Sequence, residues 1–137
     1  MKFTELKTPC YVIDEQKLIK NLEILKSVQD RTGCKILLAQ KAFSAFCVYP
    51  LMSKYLSGTT ASGLYEAKLG YECFGKETHI FAPAFKENDF EEILKICNHI
   101  VFNSFSQLEK YRDKWQNADV SVGIRLNPCL LYTSPSP

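Results

Sequence analysis

The stretch KILLAQK, residues 35–41, sets four apolar residues in succession before a glutamine and a lysine. An apolar run of this length is typical of a strand covered on both faces, as in parallel sheets. Six such runs recur along the chain, separated by helical patterns, at residues 10–13, 36–39, 59–61, 79–82, 99–102 and 120–126. Parallel neighbours need a long crossover connection, so this alternation predicts an α/β fold with a parallel sheet.

Helix signals fall between these runs. In the first helix apolar residues step by four, three and three, and Asp14 and Gly33 are placed to cap and to close it. Three later helices are expected to begin at the capping residues Ser62, Asn88 and Ser106. The weakest helical pattern, at residues 48–55, carries Pro50 in its first turn.

The length limits the architecture. A closed (β/α)8 barrel needs about 250 residues, whereas this chain has 137 and room for six strands. The sequence therefore predicts a partial TIM-like barrel over residues 1–128, with the second half of the barrel missing. Residues 129–137 form a Ser/Pro tail that we interpret as the artefactual end of a fragment, and a natural flexible end is the alternative.

Composition excludes several classes of protein. The net charge is +2, with acidic and basic residues interspersed, so no nucleic-acid partner is expected. The start has no apolar leader and no stretch is long enough to span a membrane, which predicts a cytoplasmic protein. Six scattered cysteines and two histidines suggest neither a metal site nor disulfides, and the thiols are expected to be reduced and mostly buried.

Ligands of parallel α/β proteins bind at the carboxyl ends of strands. There, side-chain alternation places Lys41 on the same side as Leu37 and Ala39. A lysine in the mouth of a barrel, among apolar neighbours, suits Schiff-base chemistry. The alternative from spacing alone is a lysine that leaves its strand for water.

Other strand ends carry weaker candidates. Ser62 and Glu66 could orient a ligand or simply cap a helix, and Ser104 could be a cap as well. Arg125, near the end of an apolar strand, needs either a ligand, a carboxylate or solvent. His79 and His99 are predicted at the starts of strands, where they would be bystanders, and no common nucleotide, hydrolase or zinc-protease motif occurs.

Five segments taken together resemble the fold-type III pyridoxal-phosphate-dependent decarboxylases, and among them the group that acts on carboxylated polyamines. They are TPCYVID at residues 8–14, KILLAQKAF at 35–43, TASGLYEA at 60–67, IVFNS at 100–104 and RLNP at 125–128. The resemblance implies a barrel of the alanine racemase and ornithine decarboxylase type, followed by a β domain that this sequence lacks.

The resemblance also implies roles for single residues. Lys41 matches the lysine that carries pyridoxal 5'-phosphate covalently, Arg125 matches an arginine near the cofactor ring, and Ser62 and Glu66 match a loop and helix start that help line the site. Two residues of this region depart from the family pattern. Thr59 and Asn103 stand where related decarboxylases have aspartates.

The implied activity is decarboxylation of carboxynorspermidine or carboxyspermidine to norspermidine or spermidine. The family's phosphate-binding residues and the residues donated by a second subunit lie beyond this sequence. We therefore expect a homodimeric carboxy-lyase as the parent protein and an inactive, poorly folded piece here. The alternative is a non-catalytic barrel protein that only binds the cofactor.

Overall fold

The computed structural model describes residues 5–126, which form one parallel sheet with helices between its strands. The five strands are β1 (Leu37–Ala39), β2 (Gly58–Ala61), β3 (Glu77–Phe81), β4 (His99–Phe102) and β5 (Ser121–Ile124). Each strand pairs in parallel with the next one in the chain, in the order β1-β2-β3-β4-β5. Doubly wound sheets reverse their strand order, so this unbroken order is that of a (β/α) barrel segment. The predicted α/β class is confirmed.

The connections are helical and of unequal length. The helices are α1 (Glu15–Thr32), α2 (Tyr49–Met52), α3 (Leu64–Leu69), α4 (Glu87–Ile96), α5 (Phe105–Lys110) and α6 (Arg112–Trp115). A short 3-10 turn (Phe46–Val48) precedes α2, and a π-helical turn (Gly70–Phe74) extends α3. Pro50 lies in the first turn of α2, as the sequence predicted.

The helix ends test the capping predictions. The Asp14 carboxylate accepts from the Lys17 N–H at 3.1 Å and Gly33 closes α1 with φ of 71°, so both predictions for α1 are confirmed. The Ser104 hydroxyl caps α5 by accepting from the Gln107 N–H. The predicted starts at Ser62, Asn88 and Ser106 are wrong. The residues that precede the first helical turns are Gly63, Lys86 and Ser104 instead.

The predicted strand at residues 10–13 does not form. These residues have no regular structure, and Tyr11 and Val12 are exposed. A strand needs a hydrogen-bonded neighbour, and within residues 5–126 the β1 edge pairs only with β2. Residues 10–13 therefore have the apolar pattern of a strand, but within residues 5–126 no neighbouring strand pairs with them.

The helix-covered face of the sheet holds the core. Side chains that alternate along the strands enter it, such as Ile80 and Ile100 from the centre of the sheet. Around them packs an aromatic group in which the Phe90 and Tyr111 rings stack with centroids 4.0 Å apart and Phe102 is fully buried. The Tyr111 hydroxyl donates to the Phe85 carbonyl at 2.8 Å, which satisfies its one polar atom.

A second, smaller cluster holds α1 against the β1 end of the sheet. Its buried members in these elements are Leu22 in α1, Leu38 in β1, and Tyr49 and Met52 in α2. Gln29, also buried, accepts from the Ile36 N–H at 2.8 Å and donates to the Tyr55 carbonyl at 2.7 Å. These bonds fix α1 to the two segments that enter β1 and β2.

The five cysteines that the structure describes carry free thiols, and the expectation that they are mostly buried is wrong. Cys10, Cys34 and Cys47 are exposed, Cys73 is half-buried and Cys97 is buried. The exposed three lie in loops and turns outside both apolar clusters. Burial raises the pKa of the Cys97 thiol to about 12.

Two further expectations concern the chain as a whole. Among residues 5–126, no helix combines the length and the apolar character needed to cross a bilayer. The predicted division at residue 128 and the Ser/Pro tail both lie outside the described residues.

Candidate active site

The face of the sheet turned away from the helices carries the candidate site. One row of side chains on this face comes from residues that are register partners in neighbouring strands, from β1 to β4. They are Ala39, Thr60, His79 and His99. All four are half-buried, whereas Leu38, Thr59, Thr78 and Ile100 of the opposite face are buried. The uncovered face corresponds to the interior of a barrel.

Lys41 follows the carboxyl end of β1 in a tight turn. The Ala42 and Phe43 N–H groups both donate to the Ala39 carbonyl, at 3.0 and 3.2 Å. Lys41 is exposed, and it lines a cavity of about 220 Å³ above the uncovered face. The other lining residues are Thr60, Ala61, Ser62, His79, Ile80, Phe81 and Val101.

Gln40 anchors the turn that carries Lys41. It is 1% exposed, and its amide nitrogen donates to the Glu66 carbonyl at 2.8 Å. The Tyr49 hydroxyl donates to its amide oxygen at 3.3 Å. Burial raises the pKa of the Tyr49 phenol, which keeps this hydroxyl protonated as a donor. Gln40 is thus hydrogen-bonded to α2 and α3 on the helix-covered face of the sheet, which fixes the backbone next to Lys41.

Gly70 leaves room for this anchor, and its replacement is expected to disturb it. A Cβ at Gly70 would lie 2.3 Å from the Thr59 hydroxyl oxygen and 3.0 Å from the Gln40 amide nitrogen. We expect Gly70→Ala to lower the free energy of unfolding by about 1–3 kcal/mol, as overpacking in a core does. Urea denaturation followed by circular dichroism measures the change.

Gly63, at the opposite end of α3 from Gly70, provides the matched control. A Cβ there would meet nothing within 4 Å. Gly63→Ala is therefore expected to cost only the loss of a favourable N-cap residue, about 0.5–1 kcal/mol. Equal losses for the two variants would contradict the crowding at Gly70.

Ser62 and Glu66 act on each other rather than as a hydroxyl cap. The Ser62 N–H donates to the Glu66 carboxylate at 2.7 Å, so the acid holds the loop that enters α3. Ser62 lines the cavity beside Lys41. Thr59 points to the helix-covered face, and Thr60 is the β2 threonine that lines the cavity.

Arg125 lies on the same side as Lys41, one residue beyond the end of β5. Its backbone N–H donates to the Phe102 carbonyl at 2.9 Å. Its guanidinium carbon lies 5.0 Å from the centroid of the Phe81 ring. Phe81 in turn lines the cavity. The structure therefore joins Arg125 to the Lys41 cavity through one aromatic side chain.

Sequence reasoning missed His79, Phe81 and Thr60 as cavity residues. The expectation that His79 starts its strand is wrong, because β3 begins two residues earlier at Glu77. His79 is therefore central in β3 and lines the cavity with Lys41. Alternation along β3 carried this signal, once the start of the strand and its register with β2 were known. His99 does begin β4, as predicted.

Desolvation lowers the pKa of His79 below its ordinary value of 6.5, although the hydrogen bond of its ring to the Glu77 carboxylate acts in the opposite direction. The Lys35 ammonium, bonded to Glu77, lowers the pKa of that carboxyl below 4.5. At neutral pH the uncovered face thus carries a neutral imidazole beside an ionised carboxylate.

A larger cleft of about 710 Å³ lies at the opposite end of the sheet, among Glu77, Asn98 and Asp119. It collects the segments that enter the strands, which in barrels is the end that serves stability. We therefore assign the candidate site to the smaller cavity, where Lys41 and Ser62 follow strand ends.

The fold and the cavity define a class: a (β/α)-barrel segment with a primary amine at the carboxyl end of a strand. No protein-family profile matches this chain. It is similar to the carboxynorspermidine/carboxyspermidine decarboxylases of Herminiimonas arsenicoxydans (42% identity, 90% of this chain) and Campylobacter jejuni (43% identity, 93% of this chain). A carboxyaminopropylagmatine decarboxylase from Synechocystis is 38% identical over 93% of this chain.

A solved structure gives the same result. The crystal structure of carboxynorspermidine decarboxylase complexed with norspermidine, from Campylobacter jejuni, matches 86% of this chain with a TM-score of 0.83 and 44% sequence identity. The match covers 32% of that protein, and the chain spans about a third (33%) of the length of each curated relative. The resemblance seen in the sequence is confirmed, over about a third of such a decarboxylase.

Proposed function

We propose that the whole protein containing this chain is a pyridoxal-phosphate-dependent carboxy-lyase. Its substrates would be carboxynorspermidine and carboxyspermidine, and its products norspermidine and spermidine. The observation that carries the proposal is Lys41 at the mouth of the cavity, in a chain 42–43% identical to two such decarboxylases.

The side chains present fit the cofactor chemically. Lys41 offers a primary amine for covalent attachment, the Phe81 ring offers an apolar wall, and Arg125 brings a fixed positive charge beside that wall. Ser62 adds a hydroxyl to the cavity, and Glu66 holds the loop that carries it. When bound, pyridoxal phosphate supplies an electron sink for the electron pair released as carbon dioxide leaves.

The chain's own contribution is to position these groups. Gln40 and the Ala39 carbonyl hold the Lys41 turn from two sides, so the amine enters the cavity from a fixed backbone. The half-buried Thr60 and Val101 form the floor and exclude part of the surrounding water. A preorganised, partly dry site strengthens each electrostatic contact with a bound carboxylate.

Two further features of the whole protein belong to the same proposal. The family resemblance supports a homodimer in which a second subunit completes the site. A cytoplasmic location is part of the same proposal, and the ordinary globular composition of the sequence supports it.

The test is chemical labelling of the whole protein. Borohydride reduction in the presence of pyridoxal phosphate, digestion and mass spectrometry should find a pyridoxyl group on the peptide that carries Lys41. Carbon dioxide release from carboxynorspermidine should accompany it. An unlabelled Lys41 peptide would overturn the proposal.

The same experiment separates the rival function. A cofactor-binding barrel without catalysis predicts the label on Lys41 with no carbon dioxide from either carboxylated triamine. The cavity offers more than the Lys41 amine. The Ser62 hydroxyl also lines it, and Arg125 lies beside its Phe81 wall, which favours the enzyme.

A further inference from the structure

The chain's two histidines meet on the uncovered face of the sheet, although they are 20 residues apart in sequence. The β3–β4 register pairs His79 directly with His99, and their ring centroids lie 4.0 Å apart. Glu77, two residues before His79 on the same strand, points to the same side. Its carboxylate oxygen Oε2 lies 3.2 Å from His79 Nε2 and 4.0 Å from His99 Nε2.

We propose that Glu77, His79 and His99 form a binding site for a divalent transition-metal ion, with Zn²⁺ as the best fit. One donor atom from each residue lies within 4.8 Å of the other two. Ligands bound at 2.0–2.2 Å in a tetrahedral zinc site are separated by about 3.4 Å, so small side-chain movements bring the three donors into range.

The donor set agrees with this ion. Two imidazoles and one carboxylate are a common protein ligand set for zinc, and imidazole disfavours the oxygen-seeking Mg²⁺ and Ca²⁺. The rings are tilted by 32°, and the soft χ2 torsion of histidine lets them turn their lone pairs toward one point. Three protein ligands leave a fourth position open.

The surroundings also suit a cation site. The three side chains are at most 36% exposed, which removes part of the competing water. Within residues 5–126, the positive charge in contact with the carboxylate is Lys35, which binds Glu77 through the other oxygen, Oε1. The ammonium therefore does not occupy Oε2, the oxygen that faces the histidines. Lys35 opposes metal binding only because its positive charge partly neutralises the Glu77 carboxylate.

The test is a titration of the full chain with Co²⁺, followed by its visible absorption bands, and with Zn²⁺ by calorimetry. We expect one site, with the bands of a nitrogen- and oxygen-ligated ion and without the near-ultraviolet bands of thiolate ligands. His99→Asn and Glu77→Gln should each weaken binding by about tenfold or more. Mg²⁺ should produce no heat.

Lys35→Met is the discriminating variant, because Lys35 is largely exposed and outside the ligand set. Removing a competing ion pair of this kind should tighten Zn²⁺ binding by about twofold to fivefold. Weaker binding in Lys35→Met would overturn the proposal, as would an unchanged Zn²⁺ affinity in Glu77→Gln. A Cys34→Ser and Cys47→Ser control removes two exposed thiols and should leave binding unchanged.

A second measurement needs no variant. Zn²⁺ should protect both histidines from diethyl pyrocarbonate, read on the peptides that carry His79 and His99, so it serves equally for the chain and the whole protein. Unprotected histidines at saturating Zn²⁺ would overturn the proposal. His79 also lines the Lys41 cavity, but the metal is read on His79 and His99 and the cofactor on Lys41. Failure of the metal site can therefore be told apart from failure of the proposed decarboxylase.

Discussion

Substitution of Lys41 by alanine in the whole protein is expected to reduce carbon dioxide release from carboxynorspermidine by about a thousandfold or more. Lys41 is the amine that lines the cavity with Ser62 and Phe81. Without it the cofactor has no covalent attachment at this position, and the step that depends on attachment is lost rather than weakened. The decarboxylation assay and the borohydride label should therefore fall together.

Two variants separate a covalent role from a general effect of charge. Lys41→Arg keeps a positive charge, but a guanidinium stays protonated and cannot form the bond, so the same loss is expected. Lys20→Ala removes an exposed lysine on α1 and should leave activity unchanged. Retention of activity in Lys41→Arg would show that the charge alone matters and would contradict covalent attachment.

Phe90→Ala is expected to cost the chain about 3–5 kcal/mol in free energy of unfolding, the usual cost of removing a fully buried phenylalanine. Phe90 on α4 is 0% exposed and packs against Phe85, Phe102 and Tyr111. Truncation removes the stacked Phe90–Tyr111 pair and leaves a cavity among the remaining rings. Urea denaturation of the whole protein, followed by circular dichroism, gives the change from the midpoint and slope.

Phe105→Ala is the matched control, since Phe105 is 70% exposed at the start of α5. Its replacement should change the free energy of unfolding by no more than about 0.5 kcal/mol. Because a domain of this size has only about 5–15 kcal/mol to lose, the Phe90 variant should be partly unfolded on moderate warming. A loss below about 1 kcal/mol for Phe90→Ala would mean that the aromatic cluster does not hold α4 to the sheet.

The site was only partly accessible to sequence reasoning. Lys41 could be placed by alternation, because a strand directs every second side chain to one face whatever surrounds it. His79 was misplaced by two residues, and in a strand the start decides whether a residue lies at an end or over a cavity. The contact of Arg125 with Phe81 crosses from β5 to β3, and no local pattern specifies such a pair.

The capping residues show the same limit on a smaller scale. Asp14 and Gly33 were predicted correctly, because each acts on atoms within four residues of itself. Ser106, with Glu109 three residues on, has the pattern of a helix start, but the residue that caps α5 is Ser104. Which serine caps α5 depends on the residue at which β4 ends, and pairing within the sheet sets that residue.

Residues 10–13 show the opposite case, in which a strand-like pattern is present without a strand. The alternation of helix signals with short apolar runs determined by itself that this protein is a parallel α/β fold with a lysine at a strand end, because periodicity is a local property of the chain. Only the tertiary structure decided which runs found partners and brought Glu77, His79 and His99 together. Pairing and register depend on neighbours that are distant in sequence, and a single strand carries no information about them.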